Sequence, residues 1–432
     1  KDVHAFLEVF SDWREQAKKA DERLANGEND NLLLGIPFSI KDNILIKGKL
    51  VTAASKVLEG YVAPYDATVI LKLKEKGVVF LGRVNMDEFA MGASTEHSAF
   101  GVTRNPRDLS RVAGGTSGGS TASVAGDMSL VSLGSDTGGS IRQPASFCGV
   151  VGFKPSYGRV SRHGLIAMGS SFDQIGPVTN TVSDAKIVLD AIEGVDDFCP
   201  TSISKPENKK EIKRKVGVCS ALLETEGLDE EVKENFKQAV EKIKKSGFEI
   251  VEVSLPNIKY SIPVYYVLIP AEVSSNMARF EGVKDGKKVE GVNLLEDYLK
   301  TRGELIGPEV RRRILIGTYV LSSGYYDAYY AKATKIRNLI KHDFEEAFKT
   351  VDVVLTPTTA GSAFKVGEKS NDPLEMYLED VFTSTANLAG LPAISIPSGH
   401  TKENLPLGLQ CVGQFNCDEN LLEIAEEFEG IL

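Results

Sequence analysis

Residues 114–120 read Gly-Gly-Thr-Ser-Gly-Gly-Ser, and residues 134–142 read Gly-Ser-Asp-Thr-Gly-Gly-Ser-Ile-Arg. Glycines beside a hydroxyl residue leave its oxygen uncrowded and free the neighbouring backbone N–H groups to point at one spot. An acyl-transfer nucleophile and its oxyanion hole need that combination. The second segment therefore predicts that Ser140 is a nucleophile.

The predicted oxyanion donors are the backbone N–H groups of Thr137, Gly138, Gly139 and Ser140. Flexible turns and a phosphate-binding loop are the alternative interpretations. A phosphate loop reads GxxxxGK[ST], and neither glycine cluster contains that lysine. The whole band interleaves glycine with Val, Leu, Ile and Phe, which indicates folded backbone rather than a linker. Pattern alone leaves a structural turn as the main alternative to a catalytic loop.

A serine nucleophile needs a base, and the five histidines do not supply one by pattern. None of them belongs to a GxSxG elbow followed by an acid and a histidine. A lysine kept neutral by burial is the alternative base. Lys41 fits because it follows an apolar run in residues 35–43, Gly-Ile-Pro-Phe-Ser-Ile-Lys-Asp-Asn. Most lysines are solvated, so the pattern makes Lys41 a candidate and leaves a surface role open.

The composition is that of an ordinary globular protein, with 42% hydrophobic and 25% charged residues among 432. The formal net charge of −10 argues against a protein that grips nucleic acid by itself, since phosphate binding needs a basic face. No apolar run reaches the ~20 residues of a membrane span. The cysteines are scattered without zinc spacing, which favours a reducing compartment and predicts no metal site. Because the sequence begins with Lys1, we expect a processed or trimmed product.

The hydrophobic periodicity predicts one large α/β domain in which helices cover a central sheet. A strand at 215–218, a helix around 232–243 and a strand at 251–255 form the unit that builds parallel sheet. Asp66 is expected to cap one helix, and Ser183 is expected to open another. The remaining expected elements are strands at 78–81, 351–355, 393–397 and 407–412, and a closing helix at 419–428.

Three segments together resemble the amidase signature family: residues 35–43, the serine- and glycine-rich band 114–142, and Cys-Gly-Val-Val-Gly-Phe-Lys-Pro-Ser at 148–156. The match is long and its motifs occur in order. The resemblance implies an α/β fold with a large central mixed β-sheet covered by helices on both faces. It also implies a single domain over residues 1–432, with a catalytic core at about 35–180.

Members of this family cut amides with a Ser–Ser–Lys triad, in which one serine bridges the lysine and the nucleophile. The resemblance implies that Lys41 is the base and Ser140 the nucleophile. The bridging hydroxyl belongs 24 residues before the nucleophile (140 − 116), at Thr116, where members commonly have serine. Threonine keeps a donor and two acceptor lone pairs, so it can relay a proton. Ser117 is the other candidate for the bridge.

Four later segments resemble one group within this family, the A-type subunits of glutamyl-tRNA(Gln) amidotransferases. They are Leu-Ser-Ser-Gly-Tyr-Tyr-Asp-Ala-Tyr-Tyr at 321–330, Leu-Thr-Pro-Thr-Thr at 355–359, Asp-Pro-Leu-Glu-Met-Tyr-Leu-Glu-Asp at 372–380, and Asn-Leu-Ala-Gly-Leu-Pro-Ala-Ile-Ser-Ile-Pro at 387–397. The resemblance implies hydrolysis of glutamine to glutamate and ammonia. Ammonia would pass to a B-type subunit that uses ATP and Mg to convert Glu-tRNA(Gln) to Gln-tRNA(Gln), with a small third subunit in the complex. This chain itself would need no cofactor and no metal.

A free amino acid needs one partner for its carboxylate and another for its ammonium. By position in the family, these partners are Arg313 and Asp380, and Tyr265 lines the pocket. Composition alone would make the arginines at 311–313 a solvated basic helix face, and Asp380 a surface acid. Only the resemblance distinguishes Arg313 from its neighbours.

The sequence departs from the family pattern at three places. Gly92-Ala93 stands where a glycine pair is usual, Thr116 replaces a serine, and we expect the helical region that bacterial relatives usually carry before about residue 5 to be missing. The substituted bridge and the missing N-terminal region favour a divergent enzyme of the mitochondrial matrix over one of the bacterial cytoplasm. A stand-alone amidase acting on other small amides and a non-catalytic scaffold subunit remain as alternatives. A Cys-dependent glutaminase is set aside because no cysteine lies in a glycine-flanked elbow.

Overall fold

The computed structural model describes residues 2–369 and 373–432. Lys1 and residues 370–372 lie outside the described part. These residues include Asp372, the first residue of the motif at 372–380. The described strands are β1 (Phe6–Val9), β2 (Pro37–Lys41), β3 (Val79–Val84), β4 (Arg104–Asn105), β5 (Asp108–Val112), β6 (Val131–Asp136), β7 (Val151–Lys154), β8 (Gln174–Thr179), β9 (Lys215–Val218), β10 (Glu249–Glu252), β11 (Val353–Pro357), β12 (Ala393–His400) and β13 (Pro406–Gly413).

The described α-helices alternate with these strands along the chain. They are α1 (Trp13–Ala25), α2 (Thr68–Glu75), α3 (Gly118–Ala125), α4 (Arg142–Cys148), α5 (Val182–Ile192), α6 (Glu230–Lys245), α7 (Ser261–Asn276), α8 (Leu294–Leu305), α9 (Pro308–Leu321), α10 (Lys332–Ala347), α11 (Pro373–Leu378), α12 (Ser384–Ala389) and α13 (Asp418–Ile431). A π-helical turn, Tyr326–Ala331, leads directly into α10.

Eleven strands form one mixed sheet in the order β1-β3-β2-β6-β8-β7-β12-β13-β11-β9-β10. β2 is parallel to both β3 and β6, and β9 is parallel to both β10 and β11. The strands between β6 and β11 pair antiparallel with their neighbours. The parallel unit predicted around 215–255 is confirmed, as is the late antiparallel pair of β12 and β13.

Both faces of this sheet are buried under helices. In β11, Val353 and Leu355 join a core with α2, α5, α6 and α13, whereas Val354 joins a second core with α7, α9, α10 and α12. Successive residues of a strand point to opposite faces, so one strand contributes to both cores. The predicted α/β fold, with a large central mixed sheet between helices, is confirmed.

Two predicted helix starts are wrong by one or two residues. The N-cap of α2 is Ala67, because Asp66 Oδ1 accepts the backbone N–H of Lys47 instead. The N-cap of α5 is Thr181, whose hydroxyl accepts a backbone N–H of the first turn, so Ser183 lies inside the helix. In both cases more than one capping residue lies near the start, and tertiary contacts select among them.

Two predicted strands are displaced by about two residues, because an apolar run marks burial rather than pairing. The strand expected at 251–255 is Glu249–Glu252, and the strand expected at 351–355 is Val353–Pro357. Both pair with β9. The register on Lys215–Val218 sets the ends of β10, whereas β11 continues to Pro357 because it also pairs with β13.

The sheet brings the serine- and glycine-rich segments to one edge. β2 ends at Lys41 and β6 ends at Asp136. The two strands are adjacent and parallel, so their carboxyl ends meet at the same edge. Residues 137–141 connect β6 to α4, and residues 114–117 lead into α3, which contacts both strands.

Candidate active site

Lys41 is fully buried at the end of β2, with its Nζ among hydroxyl and carbonyl oxygens. Nζ lies 2.8 Å from Thr116 Oγ1, 2.8 Å from Ser117 Oγ and 3.2 Å from the Ser135 carbonyl oxygen. Burial lowers the pKa of Lys41 to about 7, although three nearby buried carboxylates oppose the shift. A large share of this lysine is therefore neutral near pH 7, as a general base requires.

The two hydroxyls beside Lys41 differ in their other contacts. Ser117 Oγ donates to the Ser135 carbonyl oxygen at 3.1 Å, which commits its single proton to the backbone. Thr116 Oγ1, by contrast, has Lys41 as its only hydrogen-bond partner among the described residues. Thr116 therefore keeps its proton and a lone pair for a further exchange, and it is the better placed of the two hydroxyls to relay a proton.

Ser140 lies in the loop after β6, close to the segment that carries the relay. Its backbone carbonyl accepts the N–H of Ser117 at 3.1 Å. Ser140 keeps 8% exposure, whereas Lys41, Thr116 and Ser117 have none. The structure brings the four predicted catalytic residues together, and of these four only Ser140 is open to a substrate.

Close packing explains the glycines of the predicted oxyanion loop. A Cβ at Gly138 would lie 2.4 Å from Tyr265 Oη, and a Cβ at Gly139 would lie 2.1 Å from Thr383 Oγ1. Gly139 also has a φ of +142°, which residues with a Cβ rarely adopt. The Gly138 carbonyl accepts the Thr383 hydroxyl at 2.7 Å, so the loop is held from the side opposite the sheet.

One of the four predicted oxyanion donors is already engaged. The Gly139 N–H donates to Asp136 Oδ1 at 2.9 Å. Among the described contacts, the N–H groups of Thr137, Gly138 and Ser140 have no protein acceptor. These three amides can hold an oxyanion, and the Gly139 amide instead fixes the loop.

A buried ion pair, which the sequence motifs alone do not reveal, holds the same loop. Two Arg142 nitrogens donate to the two Asp136 carboxylate oxygens, each at 3.0 Å, and both side chains are fully buried. Burial raises the pKa of Asp136, but Arg142 more than offsets this and lowers it to about 2. Arg142 also donates to the Thr383 carbonyl, Gln410 and Asn387. The sequence feature that could have indicated this pair is an Asp and an Arg within an otherwise uncharged segment.

The three predicted substrate residues also lie together, although they come from distant segments. Tyr265 on α7 contacts Gly138, while Arg313 on α9 and Asp380 after α11 are buried beside Tyr266. Tyr266 Oη donates to Asp380 Oδ2 at 3.2 Å, and Arg313 Cζ lies 5.3 Å from the Tyr266 ring centre. A cationic and an anionic side chain therefore lie beside the same tyrosine, whose neighbour Tyr265 contacts the Ser140 loop at Gly138.

Arg313 differs from its neighbours because it faces the interior. Its Nε donates to Glu309 Oε1 at 2.7 Å, and its Cζ lies 5.5 Å from the Tyr377 ring centre. Among the described residues, the hydrogen bond from Nε is the only one that this guanidinium makes. Both Nη groups therefore remain available to bind a carboxylate. Sequence reasoning missed Glu309, although it precedes Arg313 by the four residues of a helical ion pair.

Asp380 is buried without a direct ion pair among the described residues. Burial raises the pKa of Asp380 to about 7, against the charge of Arg313 and the hydrogen bond from Tyr266. An ammonium group at this carboxylate would lower that pKa again, since a nearby cation favours the ionised form. Binding of a cationic group and ionisation of Asp380 therefore support each other.

Ala93, which stands where relatives usually have glycine, is buried. Ala93 lies in an apolar cluster with Val112 and Phe147, and its carbonyl accepts Gln143 Nε2 at 3.1 Å. The side-chain amide oxygen of Gln143 accepts the N–H of Gly115 at 2.9 Å. The extra methyl group thus faces the protein interior beside the relay segment.

Three further findings concern metal ions, membrane-spanning helices and the cysteines. Over the described ranges, no group of three or more His, Cys, Asp or Glu side chains is arranged to hold a metal ion. No helix in those ranges combines the length and the apolar character needed to cross a membrane. The five cysteines are free thiols.

Comparison with known proteins identifies relatives along the whole chain. The amidase family model matches residues 1–422. The A-type subunit of the glutamyl-tRNA(Gln) amidotransferase from Sulfurihydrogenibium sp. is 53% identical over 438 residues, which cover 99% of this chain and 90% of that protein. The protein of the same name from Nostoc sp. is 51% identical over 439 residues, with the same coverage. These relatives are bacterial and give no support to the mitochondrial origin expected from the sequence.

A solved structure shows the same likeness. The crystal structure of the corresponding A-type amidotransferase subunit from Thermotoga maritima is 45% identical in sequence to this chain and has a TM-score of 0.81. The match covers 98% of this chain and 86% of that one. The resemblance inferred from the motifs between residues 35 and 156 is confirmed: the chain belongs to the amidase family.

Proposed function

We propose that this chain is the glutamine-hydrolysing, A-type subunit of a glutamyl-tRNA(Gln) amidotransferase, with Lys41, Thr116 and Ser140 as its catalytic residues. The observation that carries the proposal is a fully buried lysine, 2.8 Å from the Thr116 hydroxyl, whose pKa burial lowers to about 7. The names of the bacterial relatives support the choice of reaction.

In the first half-reaction, Ser140 Oγ attacks the side-chain amide carbonyl of glutamine. Thr116 takes the Ser140 proton and passes its own to Lys41 Nζ, which becomes an ammonium group. The oxyanion that forms is held by the backbone N–H groups of Thr137, Gly138 and Ser140. Their loop is held in place by the hydrogen bonds from the Gly139 N–H to Asp136 and from the Thr383 hydroxyl to the Gly138 carbonyl. Ser117 stays out of this transfer.

Breaking the C–N bond releases ammonia and leaves a γ-glutamyl ester on Ser140. The proton held by Lys41 returns through Thr116 to the departing nitrogen. Water then gives a proton to the same relay and attacks the ester, which releases glutamate and restores the Ser140 hydroxyl. Lys41 is neutral at the start and at the end of the cycle.

The charged pair beside the loop selects a free amino acid. Arg313 offers its Nη groups to the α-carboxylate, Asp380 takes the α-ammonium, and Tyr265 lines the space beside Gly138. With a neutral amide, the Nη groups of Arg313 and the carboxylate of Asp380 would gain no charged partner from the substrate, which disfavours such a substrate. The pair therefore favours glutamine over the aryl, fatty or peptide amides of a stand-alone amidase.

Ammonia made at this site would pass to a B-type partner subunit, which uses ATP and Mg to amidate Glu-tRNA(Gln). A small third subunit completes the proposed complex. The net charge of −10 supports the assignment of most tRNA contacts to the partner, because phosphate binding needs a basic surface. The bacterial relatives support a cytoplasmic location for the proposed complex.

The test is ammonia release from glutamine by the complex and by its Ser140→Ala variant. Wild type is expected to release ammonia, and Ser140→Ala is expected to release none while it still amidates Glu-tRNA(Gln) when free ammonia is supplied. That second activity shows that the variant folds and assembles. Ammonia release by Ser140→Ala at the wild-type rate would remove Ser140 from the mechanism.

A further inference from the structure

The N-terminus of α9, the helix that carries Arg313, is held by a buried carboxylate that the proposed mechanism does not use. Glu88 Oε2 accepts the N–H of Gly307, the N-cap residue of α9, at 2.7 Å. Glu88 Oε1 accepts the hydroxyl of Ser55. The approach is close: a Cβ at Gly307 would lie 2.2 Å from Glu88 Oε2.

Glu88 projects from a support made of two backbone segments in an unusual conformation. Ala53, Ala54, Phe89 and Ala90 have φ values between +47° and +60°, which residues with a Cβ seldom adopt. The Phe89 N–H donates to the Ala53 carbonyl at 2.8 Å, so the segments brace each other. Such conformations persist where the surroundings over-determine them, and they cluster at functional sites.

The same support contacts the catalytic half of the site. Asp87 accepts the N–H of Thr95 at 2.8 Å, and a Cβ at Gly115 would lie 2.2 Å from Asp87 Oδ2. Gly115 immediately precedes Thr116. Two adjacent carboxylates thus face different ways, with Asp87 against the relay segment and Glu88 against the substrate helix.

We infer that Glu88 is a positioning residue for glutamine: it fixes the start of α9 and thereby the location of Arg313. Arg313 lies six residues after Gly307 (313 − 307), about 9 Å along the helix at ~1.5 Å per residue. A tilt at the start of α9 therefore moves the guanidinium relative to Asp380, which lies on another segment. The inference rests on the proposed glutamine site and adds to it a residue that contacts no substrate.

The test measures glutamine binding by calorimetry in the Ser140→Ala variant, which removes turnover. Adding Glu88→Ala is expected to weaken the affinity ~10-fold or more, because misplacing a positioned group by about 1 Å costs up to ~10²-fold. Adding Glu88→Gln is expected to restore most of the affinity. Its amide oxygen can accept the Gly307 N–H and its NH₂ can donate to Ser55, so both contacts of Glu88 can be kept without the negative charge.

A second variant changes the contact from the other side. Gly307→Ala, in the same Ser140→Ala background, is expected to weaken glutamine binding because the new methyl group displaces the Glu88 carboxylate. The matched control is Gly303→Ala in α8, where a Cβ would meet nothing within 4 Å. This control is expected to bind glutamine like its parent. If Glu88→Ala does not fold, the comparison of Gly307→Ala with Gly303→Ala decides the question.

The outcomes separate this inference from the proposed function. No glutamine binding by Ser140→Ala itself contradicts both. Binding by the parent that is unchanged in Glu88→Ala and Gly307→Ala overturns the inference and leaves the glutamine site standing. Equal losses in Glu88→Gln and Glu88→Ala also overturn it, because the amide keeps the contact with Gly307.

Discussion

At the scale of single residues, the burial of Lys41 sets the pH range of the proposed site. The neutral lysine is the active form, and its pKa of about 7 lies far below the usual lysine range. We therefore expect kcat/KM for glutamine to fall as the pH drops below about 7, where Lys41 takes a proton. Asp380, whose pKa burial raises to about 7, loses its charge over the same interval and steepens the fall.

The measurement is a pH–rate profile with glutamine and with an amide that lacks the α-ammonium group. The second profile isolates Lys41, since Asp380 has no ammonium to bind there. Both rates are expected to level off above neutral pH, because neither group then carries an extra proton. Rates that stay constant down to about pH 5, well below the pKa of Lys41, would show that Lys41 is not the base.

The second residue-scale expectation concerns the two hydroxyls beside Lys41. Thr116→Ala is expected to lower the rate of glutamine hydrolysis by ~10²–10⁴-fold, the usual worth of a general acid–base relay. Thr116→Ser keeps the hydroxyl and is expected to retain activity. Ser117→Ala is expected to cost less, because the Ser117 proton is bonded to the Ser135 carbonyl. Larger damage from Ser117→Ala than from Thr116→Ala would transfer the relay to Ser117.

At the scale of elements, the loop between β6 and α4 owes its shape to the Asp136–Arg142 pair. Arg142→Met leaves a buried carboxylate without its partner, which is expected to destabilise the protein by about 3–5 kcal/mol. The matched control is Lys215→Met, because Lys215 pairs with Glu249 at 2.9 Å with side chains 38% and 60% exposed. An exposed pair of that kind is worth less than ~1 kcal/mol. Urea unfolding gives the free energy of unfolding of each variant. Equal losses of this free energy in the two variants would mean that the buried pair does not stabilise the fold more than an exposed pair does.

Most elements were predictable from the sequence, and the misplaced ends have a common cause. Apolar periodicity identified β9, α6 and the β12–β13 pair because these elements bury a regular face. It misplaced the start of α2, since the contact of Asp66 with Lys47 joins residues whose proximity depends on the finished fold. The candidate catalytic residues were indicated by motifs rather than by periodicity. The glycines beside Ser140 mark a closely packed loop, because a Cβ at Gly138 or Gly139 would overlap a neighbouring side chain.

At the scale of the whole molecule, the substrate end of the site is assembled from four distant parts of the chain. Tyr265, Arg313 and Asp380 lie on α7, on α9 and after α11. Tyr265 contacts the Ser140 loop at Gly138, and Arg313 and Asp380 lie beside the adjacent Tyr266. Nothing local in the sequence distinguishes Arg313 from two adjacent arginines. Its burial follows from the packing of α9 on α7, which only the complete fold supplies.

The most direct test of the glutamine site compares kcat/KM for glutamine and for propionamide in wild type, Arg313→Lys and Asp380→Asn. Wild type is expected to prefer glutamine strongly. Each variant is expected to lose about 10²-fold or more with glutamine. The lysine ammonium cannot reproduce the planar two-nitrogen contact of arginine with a carboxylate, and Asp380→Asn removes one partner of a buried charge pair, which costs roughly 2–5 kcal/mol. Propionamide offers neither charge, so its slow cleavage is expected to change little. Glutamine activity retained in both variants, or a wild type that cleaves propionamide as well as glutamine, would contradict the account and favour a stand-alone amidase.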